Sequence, residues 1–276
     1  MNEALNVKDM KLYAEADSIF ADLAARGFPA GSALDVNVVS QIDQLHYHGA
    51  ASVHQAIDAL AITAQASVLE VGAGWGGPSR YIAATAGARV TALELQEDFS
   101  TVGEELTRRC GLAALVTHRR DDFLTVDFGD ERFDHVGSWL ALYHIPDRAR
   151  YTAKIAELLK PGGTVFIEDL TQGTDFADAD QGTLDRELFA SSMVSYETYI
   201  DSLNRAGFDI LSAHDMTDDW RAFTAARLDA FIDNREAFVR IHNEALFEDK
   251  KHFYSKIVEY FTADAIGGIR IAAQKR

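Results

Sequence analysis

Ser67-Val-Leu-Glu-Val71 runs directly into Gly72-Ala-Gly-Trp-Gly-Gly77, and Pro78 follows. A short apolar run that ends in closely spaced glycines and reopens as a helix restricts a chain to few folds. Glycine takes positive φ without a Cβ penalty, so such a loop turns sharply and lets backbone N–H groups approach a ligand. Proline suits the first helical position. The run matches G-x-G-x-x-G, and its place between a strand and a helix is the context that pattern requires.

Elements alternate on both sides of this loop. Leu12, Ala16, Ile19, Phe20 and Leu23 recur at helical spacing over 8–26, and Gly27, Pro29 and Gly31 end that helix. A helix over 50–61 precedes the strand 67–71. There follow a helix over 79–86, a strand over 89–93, a helix over 97–110, a weak strand over 115–119 and a strand over 133–139. A helix over 148–159 is closed by the turn Lys160-Pro-Gly-Gly163, and 164–170 is a fifth strand. This alternation predicts a parallel sheet with helices on both faces and right-handed crossovers. Residues 171–183 read as a polar loop, 196–205 as a helix, 208–213 as a strand, 217–262 as one long helical stretch and Gly268–Ala273 as a closing strand. The helical insertion is too long for a plain crossover and reads as a cap over a site.

Composition removes several classes. Of 276 residues, 47% are hydrophobic and 25% charged, as in a globular chain. Lys+Arg number 26 against 43 Asp+Glu, a formal charge of −17. That balance argues against binding nucleic acid by phosphate neutralisation and against docking on an anionic membrane, and it favours neutral or cationic small partners. Cys110 is the only cysteine, so no internal disulfide and no multi-cysteine zinc site is expected. No histidine spacing suggests a metal. No apolar run reaches about 18 residues, and the N-terminus has no apolar signal core. The reading is cytoplasmic. No heptad seam is sustained, so a homodimer rests on base rate alone.

Three acids bear on what the loop holds. Glu70, two residues before Gly72, would repel a pyrophosphate and suits the amino group of an amino-acid-like cofactor. Glu94 closes the second strand, where it can accept bonds from ribose hydroxyls. Asp121-Asp122-Phe123 follows the third strand, where an acid and an aromatic ring can bond and stack an adenine. Together VLEVGAGWGG, the acid of TALEL, the run DDF and LKPGG resemble the class I S-adenosylmethionine-dependent methyltransferases over residues 66–170.

That resemblance implies a Rossmann-like α/β fold: a seven-stranded, mostly parallel sheet with an antiparallel last strand, which suits the terminal GGIRIAAQK. It implies S-adenosylmethionine as cofactor and S-adenosylhomocysteine as product, with no metal. Glu70 would meet the methionine amine. Gly72, Ala73, Gly74 and Gly76 would form the bend, and Glu94 with Leu95 would hold the ribose. Asp122 and Phe123 would take the adenine, with Asp121 as the one-residue alternative, and Ser138 would close the site at the fourth strand. The chain divides into an N-terminal helical lid over 1–62 and a cofactor-binding domain over 63–276, with 217–262 as its cap.

Asp43-Gln44-Leu-His46-Tyr47-His48-Gly49 and the later helix with Tyr196 and Tyr199 further resemble the phosphoethanolamine and sarcosine/dimethylglycine N-methyltransferase branch. In that branch Gln44 and Tyr47 would be lid contacts to the methionine carboxylate end, and Tyr13 would face the acceptor. The phosphoethanolamine enzymes carry an Asp four residues before the His after the fourth strand, where Leu140 stands here. Phe189 and Ser191 occupy the places of their phosphate-binding Arg and Tyr, and neither offers charge or bidentate geometry. Phosphoethanolamine is therefore disfavoured as a substrate.

Methyl transfer from a sulfonium is an in-line displacement that needs alignment and a dry site. A protonated amine, phenol or acidic carbon also needs a base. His144 fills that place, at the rim of the fourth strand and titrating near neutrality. The alternative is a rim histidine bonded to backbone. His46 and His48 are further candidates, His46 also as an acceptor contact. Trp75, Trp139, Tyr143, Tyr196 and Trp220 could line an acceptor pocket, since aromatic faces attract cationic centres; the alternative for each is core packing. His242 and His252 read as surface residues, and Ser191-Ser192 has no base in reach. The leading function is methyl transfer to a small-molecule acceptor at an amine nitrogen. The alternatives are a natural-product C- or O-methyltransferase (polyketide, phenol or prenyl-type acceptor), an NAD-dependent oxidoreductase and a non-catalytic binding module.

Overall fold

The computed structural model of the chain describes residues 15–276. Tyr13 and the start of the helix expected over 8–26 lie outside them. Within them α1 (Ser18–Ala25), the short α2 (Val36–Val39) and α3 (Ala50–Leu60) precede β1 (Ser67–Val71). Then come α4 (Gly77–Ala86), β2 (Arg89–Glu94), α5 (Glu97–Arg109), β3 (Val116–Arg120) and β4 (Phe133–Trp139). A 3-10 turn over Leu142–His144 leads into α6 (Arg148–Leu158) and β5 (Leu159–Gln172). The chain continues through α7 (Asp178–Leu188), α8 (Tyr196–Arg205) and β6 (Phe208–Asp215). It ends with α9 (Thr217–Asp233), α10 (Arg235–Ile241), α11 (Glu244–Thr262) and β7 (Ile266–Lys275).

The strands form one sheet in the order β3-β2-β1-β4-β5-β7-β6. The first five are mutually parallel, and β7 runs antiparallel to both β5 and β6. The expected antiparallel last strand is thus present, inserted between β5 and β6. Side chains alternate across each strand and feed two cores. Leu69, Val71, Val136, Val165 and Ile167 face Tyr151 and Ile155 of α6 and Tyr199 and Leu203 of α8. Val68, Val90, Ala92 and Phe166 face Val53, Ala56 and Leu60 of α3 and Ile82 and Ala83 of α4. Among the described residues no helix is long and apolar enough to cross a membrane.

Three local expectations are corrected. The polar stretch at 171–183 gives way to α7, whose Leu184 and Leu188, four residues apart, are both buried on one face. The stretch 217–262 is three helices, broken at Asn234 and at His242–Asn243, where the Asn243 side chain accepts from Leu246 N. Lys160-Pro-Gly-Gly163 is drawn into the leading end of β5. Its pairing with β4 jumps from Phe133↔Leu159 to His135↔Thr164, and Gly162 sits at φ +71°.

Gly267-Gly268 in β7 has a packing reason. A Cβ on Gly268 would lie 2.2 Å from Trp220 Cε3, so the missing side chain is what lets the fully buried Trp220 of α9 lie on the sheet. Gly268→Ala is expected to destabilise the fold by about 1–3 kcal/mol through overpacking. Urea unfolding measures this, and an unchanged midpoint would contradict it.

Candidate active site

The loop after β1 is built on three left-handed glycines: Gly72 at φ +75°, Gly74 at +51° and Gly76 at +75°. Gly72 N and Ala73 N donate to Leu93 O at 3.0 and 2.9 Å, which fastens the loop to the end of β2. A Cβ on Gly72 would stand 2.3 Å from Ala141 Cβ, and one on Gly76 2.6 Å from His118 Cε1. The Glu94 carboxylate accepts from Gly74 N and from Gln96 N, each at 2.8 Å. Burial raises its pKa while these bonds lower it. Asp121 N donates to Glu94 O at 3.0 Å, so the ends of β2 and β3 share one mouth with the glycine loop. Leu95 follows Glu94 at this mouth. Asp121 Oδ1 accepts from Asp122 N, and Asp122 Oδ1 accepts from Leu124 N, both at 2.9 Å. Phe123 is buried in the core with Leu93. Ser138 Oγ donates to Val71 O at 2.9 Å and ties β4 to the start of the loop.

Glu70 lies behind the loop. Its Oε2 accepts from Ser79 N at 2.9 Å and from Ser79 Oγ, at the first turn of α4. Burial pushes its pKa up to about 8. A carboxyl whose folded pKa is raised gives stability that is full below its ordinary range and lost as pH climbs through the folded value. His46, His118 and His144 are each pushed down to about 4 by burial, so their contribution runs the other way and is lost as pH falls from 6.5 toward 4. On the alkaline side Glu70 therefore dominates this set. Glu70→Gln is expected to flatten the decline of the thermal midpoint as pH rises from neutral through 8; a decline as steep as in the wild type would contradict the assignment.

Residues 43–47 lie across the glycine loop. A Cβ on Gly77 would be 2.6 Å from Asp43 O, and one on Gly74 3.0 Å from Leu45 Cδ1. Arg80 of α4, fully buried, donates through Nη2 to Asp43 Oδ2 at 2.8 Å and through Nη1 to Gly103 O and Thr107 Oγ1. Gln44 Nε2 donates to Asp43 Oδ1 at 2.8 Å, Gln44 Oε1 lies 2.8 Å from His46 Nε2, and His46 Nδ1 lies 3.0 Å from Tyr47 O. Thr107 Oγ1 lies 2.8 Å from His118 Nε2. Arg80, Thr107 and His118 are not picked out by sequence reasoning, and Asp43 is so only as part of the segment 43–49, with no role of its own. The available signal was an arginine in the first turns of a helix otherwise destined for the core.

Trp75 is corrected. Its Nε1 donates to Ala16 O at 2.9 Å and its ring stacks on Phe99, among Ile19, Leu23 and Leu34. It packs the N-terminal segment instead of lining an acceptor space. Trp139 turns to the α3 face, where Nε1 donates to Ser52 Oγ at 3.1 Å and the ring lies 6.0 Å from His46. Tyr196 packs at the edge of the α6–α8 core. By contrast Tyr47, Tyr143 and Trp220 share one cluster with Leu170, Met193 and Phe261. Tyr47 meets Trp220 edge-on at 5.0 Å and lies under the Arg227 guanidinium at 5.1 Å.

His144 is buried on the turn after β4, 3.8 Å from the Tyr143 ring. Its Nδ1 donates to Phe189 O at 3.1 Å, which fixes the neutral tautomer with Nε2 unprotonated. Leu140 and Phe189, on the two sides of this turn, hold φ values of +53° and +51°, a strained conformation for side chains of that size. His48 Nε2 pairs with Asp219 of α9 at 2.6 Å. His242 is also corrected: its ring is 4% exposed and pairs with Asp22 of α1 at 2.9 Å. No cluster of three metal-ligating side chains occurs among the described residues.

The comparisons with known proteins agree with this geometry. A family described as a methyltransferase domain matches residues 69–167. Methyltransferase GfsG of Streptomyces halstedii is 29% identical over 195 residues, 70% of this chain and 70% of its own length. The glycine/sarcosine/dimethylglycine N-methyltransferase of Actinopolyspora halophila is 31% identical over 57% of this chain, which spans 28% of that enzyme. The sarcosine/dimethylglycine N-methyltransferase of Halorhodospira halochloris is 29% identical over 66% of this chain and 65% of its own length. Among solved structures, phosphoethanolamine N-methyltransferase 2 of Haemonchus contortus with S-adenosylmethionine superposes with a TM-score of 0.77 at 20% identity, over 85% of this chain and 54% of that one. The [4+2]-cyclase SpnF does so at 0.69 and 17%, over 88% and 98%.

Residues 69–167 match a methyltransferase domain, and the chain is similar to methyltransferases that use S-adenosylmethionine. The residues present fit that cofactor: a glycine cradle too close to its neighbours for any Cβ at Gly72 or Gly76, and a carboxylate, Glu94, at its mouth.

Proposed function

We propose that the chain transfers a methyl group from S-adenosylmethionine to an amine nitrogen of a small-molecule acceptor by in-line displacement. When bound, the cofactor supplies an electrophilic methyl group on a sulfonium. Under this reading Gly72, Ala73, Gly74 and Gly76 cradle it, Glu94 and Leu95 meet the ribose, and Asp121, Asp122 and Phe123 meet the adenine end. Glu70 and Ser138 back the loop, and Gln44 and Tyr47 belong to a lid over a domain spanning 63–276. The helices of 217–262 act as the cap, with Trp220 and Tyr143 on the acceptor side.

The orientation of His144 carries the reading. With Nδ1–H bound to Phe189 O, the Nε2 lone pair is left to accept from an acceptor N–H and so to direct the nitrogen lone pair. Burial lowers the pKa of this ring to about 4, so it stays neutral. Of the carboxylates on adjoining elements, Asp219 pairs with His48, Asp169 with Tyr199, and Glu168 with Arg270 through Oε1, Glu168 Oε2 being buried without a hydrogen-bond partner. The neutral His144 ring supports an acceptor entering as the free amine rather than the ammonium. The relatives named as N-methyltransferases point the same way.

A second reading, methylation of a natural-product oxygen or carbon, is favoured by Leu140 in place of an acid and by the even coverage of GfsG. A transfer assay with methyl-labelled S-adenosylmethionine separates the two. One pool holds glycine, sarcosine, dimethylglycine, ethanolamine and aryl-alkyl amines; the other holds phenols, enols and prenyl diphosphates. Label in the amine pool is the expected result, and label confined to the second pool would replace the amine reading with the other.

A further inference from the structure

Behind the Leu142–His144 turn lies a buried polar cluster that the proposed chemistry does not use directly. Asp169, fully buried near the end of β5, accepts from Tyr143 N at 3.2 Å through Oδ1 and from Tyr199 Oη at 2.9 Å through Oδ2. Tyr199, also fully buried on α8, lies with its ring 4.0 Å from the Arg148 guanidinium, and Tyr151 lies 5.3 Å from the same group. Arg148 Nη2 donates to Ser192 O at 2.6 Å, while its Nε and Nη1 are buried without a hydrogen-bond partner. Ser192 N donates to Tyr143 O at 3.1 Å, and Ser191 Oγ donates to His144 O at 2.6 Å. The turn is therefore gripped through its backbone, from β5 on one side and from the segment before α8 on the other.

We infer that Asp169, steadied by Tyr199 and Arg148, is the positioning residue that sets the Tyr143–His144 turn, acting through the Tyr143 backbone N–H. The inference rests on the reading of His144 given above. Leu140, which enters this turn four residues before His144, carries no charge. Asp169 supplies a carboxylate to the turn's backbone from the neighbouring strand. The Arg148 cation lies close enough to pull the Asp169 pKa down, and so offsets part of the cost of burying a carboxylate there. The groups facing Asp169 are Arg148 and Tyr151 of α6, Tyr199 of α8 and the backbone N–H groups of Tyr143 and Leu170, so its charge has one cationic neighbour. Burial raises the Asp169 pKa to about 7 against the pull of Arg148.

The test reads the ring of His144 directly, with no acceptor needed. Long-range proton–nitrogen NMR of the full chain, with His144→Gln assigning the signals, is expected to show a single Nδ1–H tautomer in the wild type. Tyr199→Phe removes one hydroxyl and Asp169→Asn removes the charge but not the shape. In both, a second tautomer is expected, with a titration midpoint moved from about 4 toward the ordinary 6.5. Turnover is expected to fall about ten- to a hundredfold, the scale of a misplaced reacting group. S-adenosylhomocysteine affinity should stay unchanged, and the effect of Tyr199→Phe should vanish in a His144→Ala background. His144 signals identical to wild type in a folded Tyr199→Phe protein would overturn the inference, as would equal losses of turnover with and without His144. Wild-type turnover in His144→Ala alone would instead overturn the reading of His144, and the tautomer result would still decide the case for Asp169.

Discussion

Glu94→Ala is expected to weaken S-adenosylhomocysteine binding by about a hundredfold, the loss of two charge-assisted hydrogen bonds at about 1.5 kcal/mol each. Two effects combine. The carboxylate is the only acid at the end of β2, where ribose hydroxyls would meet it. It also holds Gly74 N and Gln96 N at 2.8 Å, so its removal leaves two backbone donors of the cradle without their partner. Glu94→Gln keeps one acceptor oxygen without the charge and is expected to fall between. Calorimetric titration with S-adenosylhomocysteine measures all three proteins, and a wild-type affinity in Glu94→Ala would remove Glu94 from the cofactor site.

His144→Ala is expected to lower kcat by about 10² or more, the range over which a positioned proton-handling group contributes. S-adenosylhomocysteine affinity should be untouched, because His144 stands on the turn after β4 and is not among the residues proposed to meet the cofactor. The pH profile carries a sign. A ring whose pKa is pushed down to about 4 does not change charge between pH 6 and 9, so no inflection there belongs to it. The fall in rate on acidification then reflects protonation of the acceptor amine, and its midpoint should move with the basicity of the acceptor. A midpoint near 6.5 that is fixed across acceptors and absent from His144→Gln would show that the histidine itself titrates during turnover.

The parts of this fold that depend on backbone chemistry were legible in the sequence. β1, β4 and α8 match their expected limits of 67–71, 133–139 and 196–205; Gly72 ends β1 and Ser195 caps α8, and such boundaries admit few alternatives. The glycine loop was legible for the same reason: three positive-φ positions exclude most side chains. Side-chain direction was not. Trp75 sits within the loop but turns toward Ala16 and Phe99, a choice made by the packing of a segment sixty residues earlier. The polar composition of 171–183 concealed α7, whose buried Leu184 and Leu188 lie beyond that stretch. The buried pairs Arg80–Asp43 and Arg270–Glu168 join residues far apart in the chain, and no local pattern announces such a pair. The one available sign for Asp169 was two adjacent acids in the apolar strand Val165-Phe-Ile-Glu-Asp-Leu170.

The central claim is that the glycine cradle and Glu94 form a site for an S-adenosyl cofactor and not for a dinucleotide. Parallel calorimetric titrations of the wild-type chain with S-adenosylhomocysteine and with NAD test it most directly. Saturable one-to-one binding of S-adenosylhomocysteine, weakened about a hundredfold in Glu94→Ala, is the expected result, with no heat from NAD. Saturable binding of NAD, with none of S-adenosylhomocysteine, would contradict it.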